Sequence, residues 1–129
     1  MAGARPFDPA AEPYVNLATY RRNGAEVKTP VWMAGTGDRY YVFSAGDAGK
    51  VKRIRATARV RLAACDLRGN VKSDWIDGEA RIVSEPAEVA KALQALRVKY
   101  GFKMLFTNFF AKLSGRFYKR AYIEIRLPP

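Results

Sequence analysis

The sequence predicts one mainly β (α+β) domain, a small antiparallel β-barrel with attached helices. Short segments that alternate apolar and polar residues follow one another, with turn residues between them. A short basic helix is predicted after the third strand, and a longer helical insertion before the last strand. The chain has 129 residues, of which 49% are hydrophobic, so residues 1–129 are expected to form a single domain with one packed core.

The first half of the chain is predicted to form three strands after an Ala- and Pro-rich arm. The arm covers residues 1–13, and the strands cover residues 14–20, 26–34 and 39–43. Asn23-Gly24 is expected to turn the chain between the first two strands, because this dipeptide tolerates the positive φ of a tight hairpin. Pro30 indicates a sheet edge, a bulge or a ligand-facing break, because proline has no N–H to donate to a neighbouring strand.

The second half is predicted to contain a helix, two strands, a helical insertion and a closing strand. The helix covers residues 50–58, and the strands cover residues 60–65, 75–84 and 121–127. Ser84 is predicted to cap a second helix that begins near Pro86 and buries the stripe Val89, Leu93 and Leu96.

A change of direction is expected at Tyr100-Gly101, followed by a further helical segment over residues 102–118. This segment mixes phenylalanine, leucine and methionine with lysine and arginine. Packing on the barrel is the interpretation favoured for it, because apolar helix residues most often belong to a core. A lid over a substrate pocket and a membrane-surface contact are the alternatives.

Composition narrows the possible functions. The net charge of +11 and the pI near 10.1 favour an anionic partner: a phosphorylated cofactor, a nucleic acid or a membrane surface. The absence of histidine excludes histidine triads, imidazole acid–base catalysis and histidine metal sites. Cys65 is the only cysteine, so neither an internal disulfide nor a thiolate metal cage is expected. No apolar run approaches the roughly 20 residues of a membrane span, and no signal core begins the chain, so a cytoplasmic location is expected.

The segment from Ser44 to Arg53 indicates a phosphate site. A strand rich in aromatic and β-branched residues is predicted to end at Ser44, and a loop with two glycines leads into the basic helix. Free backbone N–H groups at such a junction, beside Lys50, Lys52 and Arg53, suit a phosphate. A solvated helix face is the plainer interpretation of the three cations.

Several segments together resemble a known family. They are Leu17–Gly24, Thr29–Trp32, Tyr41–Ser44 and Gly49–Arg53, and then Val60–Asp66, Arg68-Gly69, Gly78–Arg81 and Lys99–Gly101. Their order and spacing resemble the split β-barrel family named after pyridoxamine 5′-phosphate oxidase. The closer resemblance is to its small deazaflavin (coenzyme F-420)-dependent oxidoreductase branch.

The resemblance implies a split antiparallel β-barrel of the FMN-binding type, which acts as a homodimer. It implies a phosphorylated flavin-type cofactor, deazaflavin (coenzyme F-420) or FMN, with deazaflavin preferred, that transfers hydride to a small-molecule substrate, a small conjugated acceptor. The cofactor ring would lie along Thr29–Trp32 and the phosphate near the Ser44 loop. The cofactor-binding residues expected on this basis are Thr29, Pro30, Val31, Trp32, Phe43, Ser44, Gly49, Lys50, Lys52 and Arg53.

Other functions remain open at this point. The sequence does not separate an enzyme from a non-catalytic cofactor-binding protein, and it names neither a catalytic residue nor the substrate. A nucleic-acid-binding barrel is a further alternative. It is disfavoured because the aromatic residues do not form one obvious exposed stripe. For Trp32, the alternative to contact with the cofactor ring is an ordinary aromatic residue of the core.

Overall fold

The computed structural model describes residues 5–128, except for the side chains of Phe117 and Tyr118. Of the predicted N-terminal arm, residues 5–13 lie within the described part of the chain and residues 1–4 lie outside it. The elements, in chain order, are β1 Val15–Tyr20, β2 Glu26–Val31, β3 Met33–Thr36, β4 Arg39–Ala45, α1 Gly49–Ala56, β5 Arg59–Ala64, β6 Ile76–Val83, α2 Pro86–Tyr100, α3 Phe102–Leu113, a 3₁₀ turn Arg116–Lys119 and β7 Arg120–Arg126.

The seven strands of the described residues form one antiparallel sheet in the order β2-β1-β5-β6-β7-β4-β3. The two edge strands, β2 and β3, are consecutive in the chain and are joined by the single residue Trp32. The sheet therefore curls until its edges meet at this residue, as in a split barrel. The predicted α+β split-barrel class is confirmed.

The predicted second strand, residues 26–34, is in fact two strands separated at Trp32. Pro30 lies in β2 opposite Asn16 of β1. Because β2 is an edge strand, the missing N–H of Pro30 removes no bond to a second neighbour. The third predicted strand is two residues longer than expected, so Ser44 lies inside β4, paired with Ala121, and does not follow the end of the strand.

Two apolar clusters stabilise the fold. The barrel interior is filled by alternate strand residues, including Leu17, Leu62 and Ile123, and by Ile54 from α1. The second cluster lies between the outer face of the sheet and the helices. There Leu96 is buried, and the remaining residues of the predicted stripe pack at its margin. The expected packing of α2 on the barrel is therefore present.

The ends of α2 differ in detail from the prediction. Glu85, not Ser84, is the N-cap residue, and it makes no side-chain capping bond. Pro86 follows as the first helical residue, where its fixed φ suits the helix and its missing N–H costs nothing. Gly101 has a φ of +50° and ends α2 at the predicted position.

Most apolar residues of α3 are exposed, so the expectation that residues 102–118 pack on the barrel is wrong except for the side of α3 that bears Met104. Met104 and Asn108 are the buried residues of this helix. Its six large exposed apolar residues have relative exposures from 57% to 78% and are Phe102, Leu105, Phe106, Phe109, Phe110 and Leu113. None of the helices in the described part of the chain has the length and apolar character needed to cross a bilayer.

Candidate functional site

A cavity of about 350 Å³ opens beside the junction between β2 and β3. Its lining residues come from six parts of the chain and are Tyr14, Pro30, Val31, Trp32, Phe43, Lys50, Leu67 and Thr107. Five of these were predicted from the sequence to bind a cofactor. The strand break at Trp32 and the adjacent start of α1 therefore bring an apolar, aromatic wall and one ammonium group together.

Trp32 is held in place by two aromatic rings. It stacks on Tyr100 with centroids 4.6 Å apart and an interplanar angle of 10°. Phe43 contacts it edge-on at 6.1 Å. The Tyr100 hydroxyl accepts a hydrogen bond from the Met33 N–H at 3.0 Å and lies 2.9 Å from the Pro13 carbonyl oxygen, to which it can donate. Burial raises the pKa of Tyr100 to about 12, so the hydroxyl stays protonated.

Lys99 ties the N-terminal arm to the same junction. Its Nζ donates to the carbonyl oxygens of Pro9, Glu12 and Met33 at 2.8, 2.5 and 2.5 Å. Burial lowers the pKa of Lys99 to about 8, although the carboxylates of Asp8 and Glu12 oppose the shift. Lys99 and Tyr100 were not among the predicted site residues. Sequence reasoning missed them because both lie at the end of a helix, and the strand junction that they contact is 66 residues earlier in the chain.

The basic helix α1 presents two cations on one face. Lys50 and Arg53 are three residues apart, and neither pairs with a carboxylate among the described residues. Arg53 Nε donates to Thr19 Oγ1 at 2.7 Å, which fixes the guanidinium against the barrel. Burial, and then the charge of Arg53, lowers the pKa of Lys50. Burial, and then Arg21, lowers the pKa of Arg53. An anion placed here would relieve this repulsion.

Three other predicted residues have different surroundings. Gly49 lies directly beneath Arg53, and a Cβ at this position would be 2.6 Å from the arginine Nη1. Gly49 thus permits the guanidinium to fold back over the start of α1. Lys52 points to solvent, and Thr29 is half-buried on β2. Thr29, Gly49, Lys52 and Arg53 line neither this cavity nor the larger one beside it, and their predicted contacts with a cofactor remain predictions.

A second, larger cavity of about 940 Å³ adjoins the first and shares Phe43 and Thr107 with it. It lies between the end of β4, α3 and the 3₁₀ turn, and its lining includes Ser44. The Ser44 Oγ is buried and has no hydrogen-bond partner in the described structure. A buried hydroxyl without a partner is costly, and a ligand oxygen would satisfy it.

The larger cavity is also basic. Arg116, Lys119 and Arg120 contribute three cations to its lining, against one carboxylate from Asp47. The Arg120 guanidinium lies 4.4 Å from the centroid of the Phe43 ring and donates to Asn108 Oδ1 at 2.7 Å. Aromatic walls, basic groups and an unsatisfied hydroxyl together fit a ligand with a flat ring and a phosphorylated tail.

Trp75 and Cys65 line neither of these two cavities. Trp75 is covered by Arg61 and Lys28, whose charged groups lie 4.6 and 5.2 Å from its ring centroid. Cys65 is buried. Within the described ranges, no three histidine, cysteine, aspartate or glutamate side chains gather closely enough to hold a metal ion.

Comparison with known proteins agrees with this geometry. The family model of pyridoxamine 5′-phosphate oxidase matches residues 6–127. The chain belongs to this family. At the level of the family, membership supports a flavin-binding, oxidoreductase-like function. No curated protein sequence matches the chain.

Solved structures share the fold at low sequence identity. The haem storage protein HutZ of Vibrio cholerae is 13% identical, with a TM-score of 0.70 over 94% of this chain and 85% of that one. An FAD-binding protein of Mesorhizobium loti is 18% identical, with a TM-score of 0.67 over 94% and 85% of the two chains. A structure named F420 reductase is 20% identical, with a TM-score of 0.57 over 93% and 90%.

Proposed function

We propose that the chain is an oxidoreductase that binds a phosphorylated flavin-type cofactor, with deazaflavin (coenzyme F-420) preferred over FMN, and acts on a small conjugated acceptor. One observation carries this proposal. Lys50 of α1 lines an aromatic cavity at the barrel edge, and Arg53 lies three residues further along the same helix, bonded to Thr19; neither cation has a carboxylate partner among the described residues. Such a pairing of cations and flat apolar walls suits a phosphorylated aromatic ring better than it suits a neutral ligand.

Each group of residues has a distinct role in this proposal. Lys50 and Arg53 bind the phosphate, and the Ser44 hydroxyl donates to a cofactor oxygen. Pro30, Val31 and Trp32 form the wall for the ring. The bound cofactor supplies hydride transfer, while the chain orients the ring and excludes water from it.

The preference for deazaflavin has two supports. The resemblance of the sequence is to the deazaflavin-dependent branch, and a structural neighbour bears the name F420 reductase. The charge of +11 suits the anionic tail of deazaflavin, although FMN is anionic as well. Haem storage, the function named for HutZ, gains no support from histidine ligation of iron, because the sequence has no histidine.

We propose further that two copies form the functional unit. Leu67 lines the cavity beside Trp32 and is 68% exposed, so one chain leaves that side of the cavity open. A second copy would cover it, and closed two-fold pairs are the commonest assembly. Light scattering of the protein with cofactor bound should give the mass of a dimer. A monomer saturated with cofactor would contradict this part of the proposal.

The decisive experiment is a titration with deazaflavin, FMN and riboflavin, followed by calorimetry and cofactor fluorescence. Deazaflavin and FMN should bind, and FMN should bind at least about tenfold more tightly than riboflavin, which lacks the phosphate. Equal affinity for FMN and riboflavin would contradict the phosphate site. Reduced cofactor and a small enone should then give turnover. Tight binding without turnover of any acceptor would favour a non-catalytic cofactor-binding protein.

A further inference from the structure

The exposed apolar face of α3 is a surface feature that cofactor binding does not explain. An α-helix turns about 100° per residue, so Phe102, Leu105, Phe106, Phe109 and Leu113 fall on one side. Met104 and Asn108 fall on the opposite side and are buried against the protein. The apolar side chains therefore point away from the fold, where no described residue covers them. A contiguous apolar patch of this kind marks an interaction surface.

The basic residues around this face indicate the chemistry of its partner. Lys103 and Lys112 lie at its two borders, where long basic side chains can reach an anionic surface while the phenyl rings sink into it. Between Glu88 and Glu124 the sequence has no acidic residue and eight basic ones, which are Lys91, Arg97, Lys99, Lys103, Lys112, Arg116, Lys119 and Arg120. An apolar stripe bordered by cations, without a single carboxylate, complements an anionic lipid headgroup layer.

We propose that α3 lies in the interface of an anionic lipid bilayer, with its phenylalanine and leucine side chains inserted and its flanking lysines at the headgroups. Twelve residues are too few to span a bilayer, so the helix would lie along the surface. Phe106 and Phe110 belong both to the exposed apolar residues and to the lining of the 940 Å³ cavity. Docking would therefore place the mouth of that cavity at the bilayer surface. This proposal does not depend on which cofactor is bound.

The test is sedimentation of the full chain with vesicles. Vesicles of phosphatidylcholine containing about a third phosphatidylserine should bind the protein, and vesicles of phosphatidylcholine alone should bind it at least about tenfold more weakly. Raising the salt from about 0.1 to about 0.5 M should release most of the bound protein. The triple variant Phe102→Ser, Leu105→Ser, Phe109→Ser should lose binding at least about tenfold. None of its three positions lines the larger cavity, so cofactor titration and circular dichroism can verify that it is folded.

A matched pair of charge variants separates local recognition from net charge. Lys103→Glu with Lys112→Glu should reduce binding to phosphatidylserine vesicles about tenfold. Arg22→Glu with Arg68→Glu changes the net charge equally at exposed positions outside α3, and should bind nearly as the native protein does. Equal losses in the two double variants would overturn the proposal. So would native binding by the triple serine variant. Absence of vesicle binding, with a native dimer that the triple variant converts to monomer, would instead assign the face to contact between copies.

Discussion

The indole of Trp32 and the phenol ring of Tyr100 stack nearly in parallel, 4.6 Å apart, although the two residues belong to opposite halves of the chain. Trp32 is the single residue that joins the two edge strands of the sheet. Tyr100 is the last residue of α2, and its hydroxyl accepts the N–H of Met33, which begins β3. The end of α2 therefore supports the place where the barrel edges meet and where the candidate cofactor site lies.

Replacement of the Tyr100 hydroxyl should destabilise this junction. Tyr100→Phe keeps the stacked ring but leaves the N–H of the buried residue Met33 without its acceptor, which should cost about 1–3 kcal/mol of unfolding free energy in urea denaturation. Tyr41→Phe is the control. Tyr41 is buried in the cluster beside α2, and no hydrogen bond of its hydroxyl is found in the described structure, so its loss should cost less than about 0.5 kcal/mol. Equal losses would show that the Tyr100 hydroxyl does not hold the junction.

The two cations on α1 should account for phosphate recognition. Lys50→Ala and Arg53→Ala should each weaken binding of FMN or deazaflavin by about tenfold or more, because a charge-assisted bond to phosphate is lost. Arg55→Ala removes an exposed cation from the same helix and should leave the affinity unchanged. Because Arg53 also bonds Thr19, the thermal unfolding of Arg53→Ala should be measured beside its titration. Unchanged affinity in both variants would place the phosphate elsewhere.

Emission of Trp32 should report on the cofactor ring. In Trp75→Phe protein, Trp32 is the only indole, and its emission should be quenched in proportion to saturation with flavin or deazaflavin. Trp32→Phe protein retains Trp75, which lies against Arg61 and Lys28 and lines neither cavity of the site, so its quenching should be weaker. If calorimetry shows saturable binding while Trp32 emission does not change, the ring does not lie against this junction.

A buried carboxylate on β7 should make stability depend on acid pH. Glu124 accepts bonds from Arg81 at 3.1 Å and from Arg126 at 3.1 Å. Burial alone would raise the pKa of Glu124, but the bonds from the two arginines outweigh it and the net pKa lies below the usual 4.5. A lowered folded-state pKa contributes stability above the unfolded pKa, and this contribution is lost as the pH falls through the folded pKa.

Glu124→Gln should therefore cost about 1–3 kcal/mol of unfolding free energy at pH 7, because hydrogen bonds to a charged group are lost. The gap between the native protein and the variant should narrow as the pH falls below about 4.5. Glu79→Gln, which alters an exposed carboxylate on the neighbouring strand, should show little loss at either pH. A gap that is the same at pH 7 and pH 3 would contradict a role for the Glu124 charge.

Local patterns were enough to predict most elements. Alternation located the strands, and the Asn23-Gly24 dipeptide marked the first hairpin, where Gly24 has a φ of +87°. Pro30 indicated a sheet edge, a bulge or a ligand-facing break, and the structure places it on an edge strand. The break at Trp32 was not predicted as a separation of two strands, because both sides of it have strand-like sequence. The chain passes from one edge strand to the other at Trp32 because the edges of the curled sheet meet there.

The sequence by itself determined the β-rich fold class, the basic character, the lack of histidine chemistry and the short helix that bears Lys50 and Arg53. Each of these depends on composition or on neighbours a few residues apart. Tertiary structure decided which of those residues meet. The Trp32–Tyr100 stack and the three carbonyls around Lys99 join segments that are distant in the chain. The lack of a partner for the Ser44 hydroxyl is a consequence of its burial. The exposure of α3 was decided in the same way. Its apolar sequence suits a core as well as a membrane surface, and only the folded structure shows that Met104 enters the cluster beside α2 while the phenylalanine and leucine side chains of α3 stay outside it.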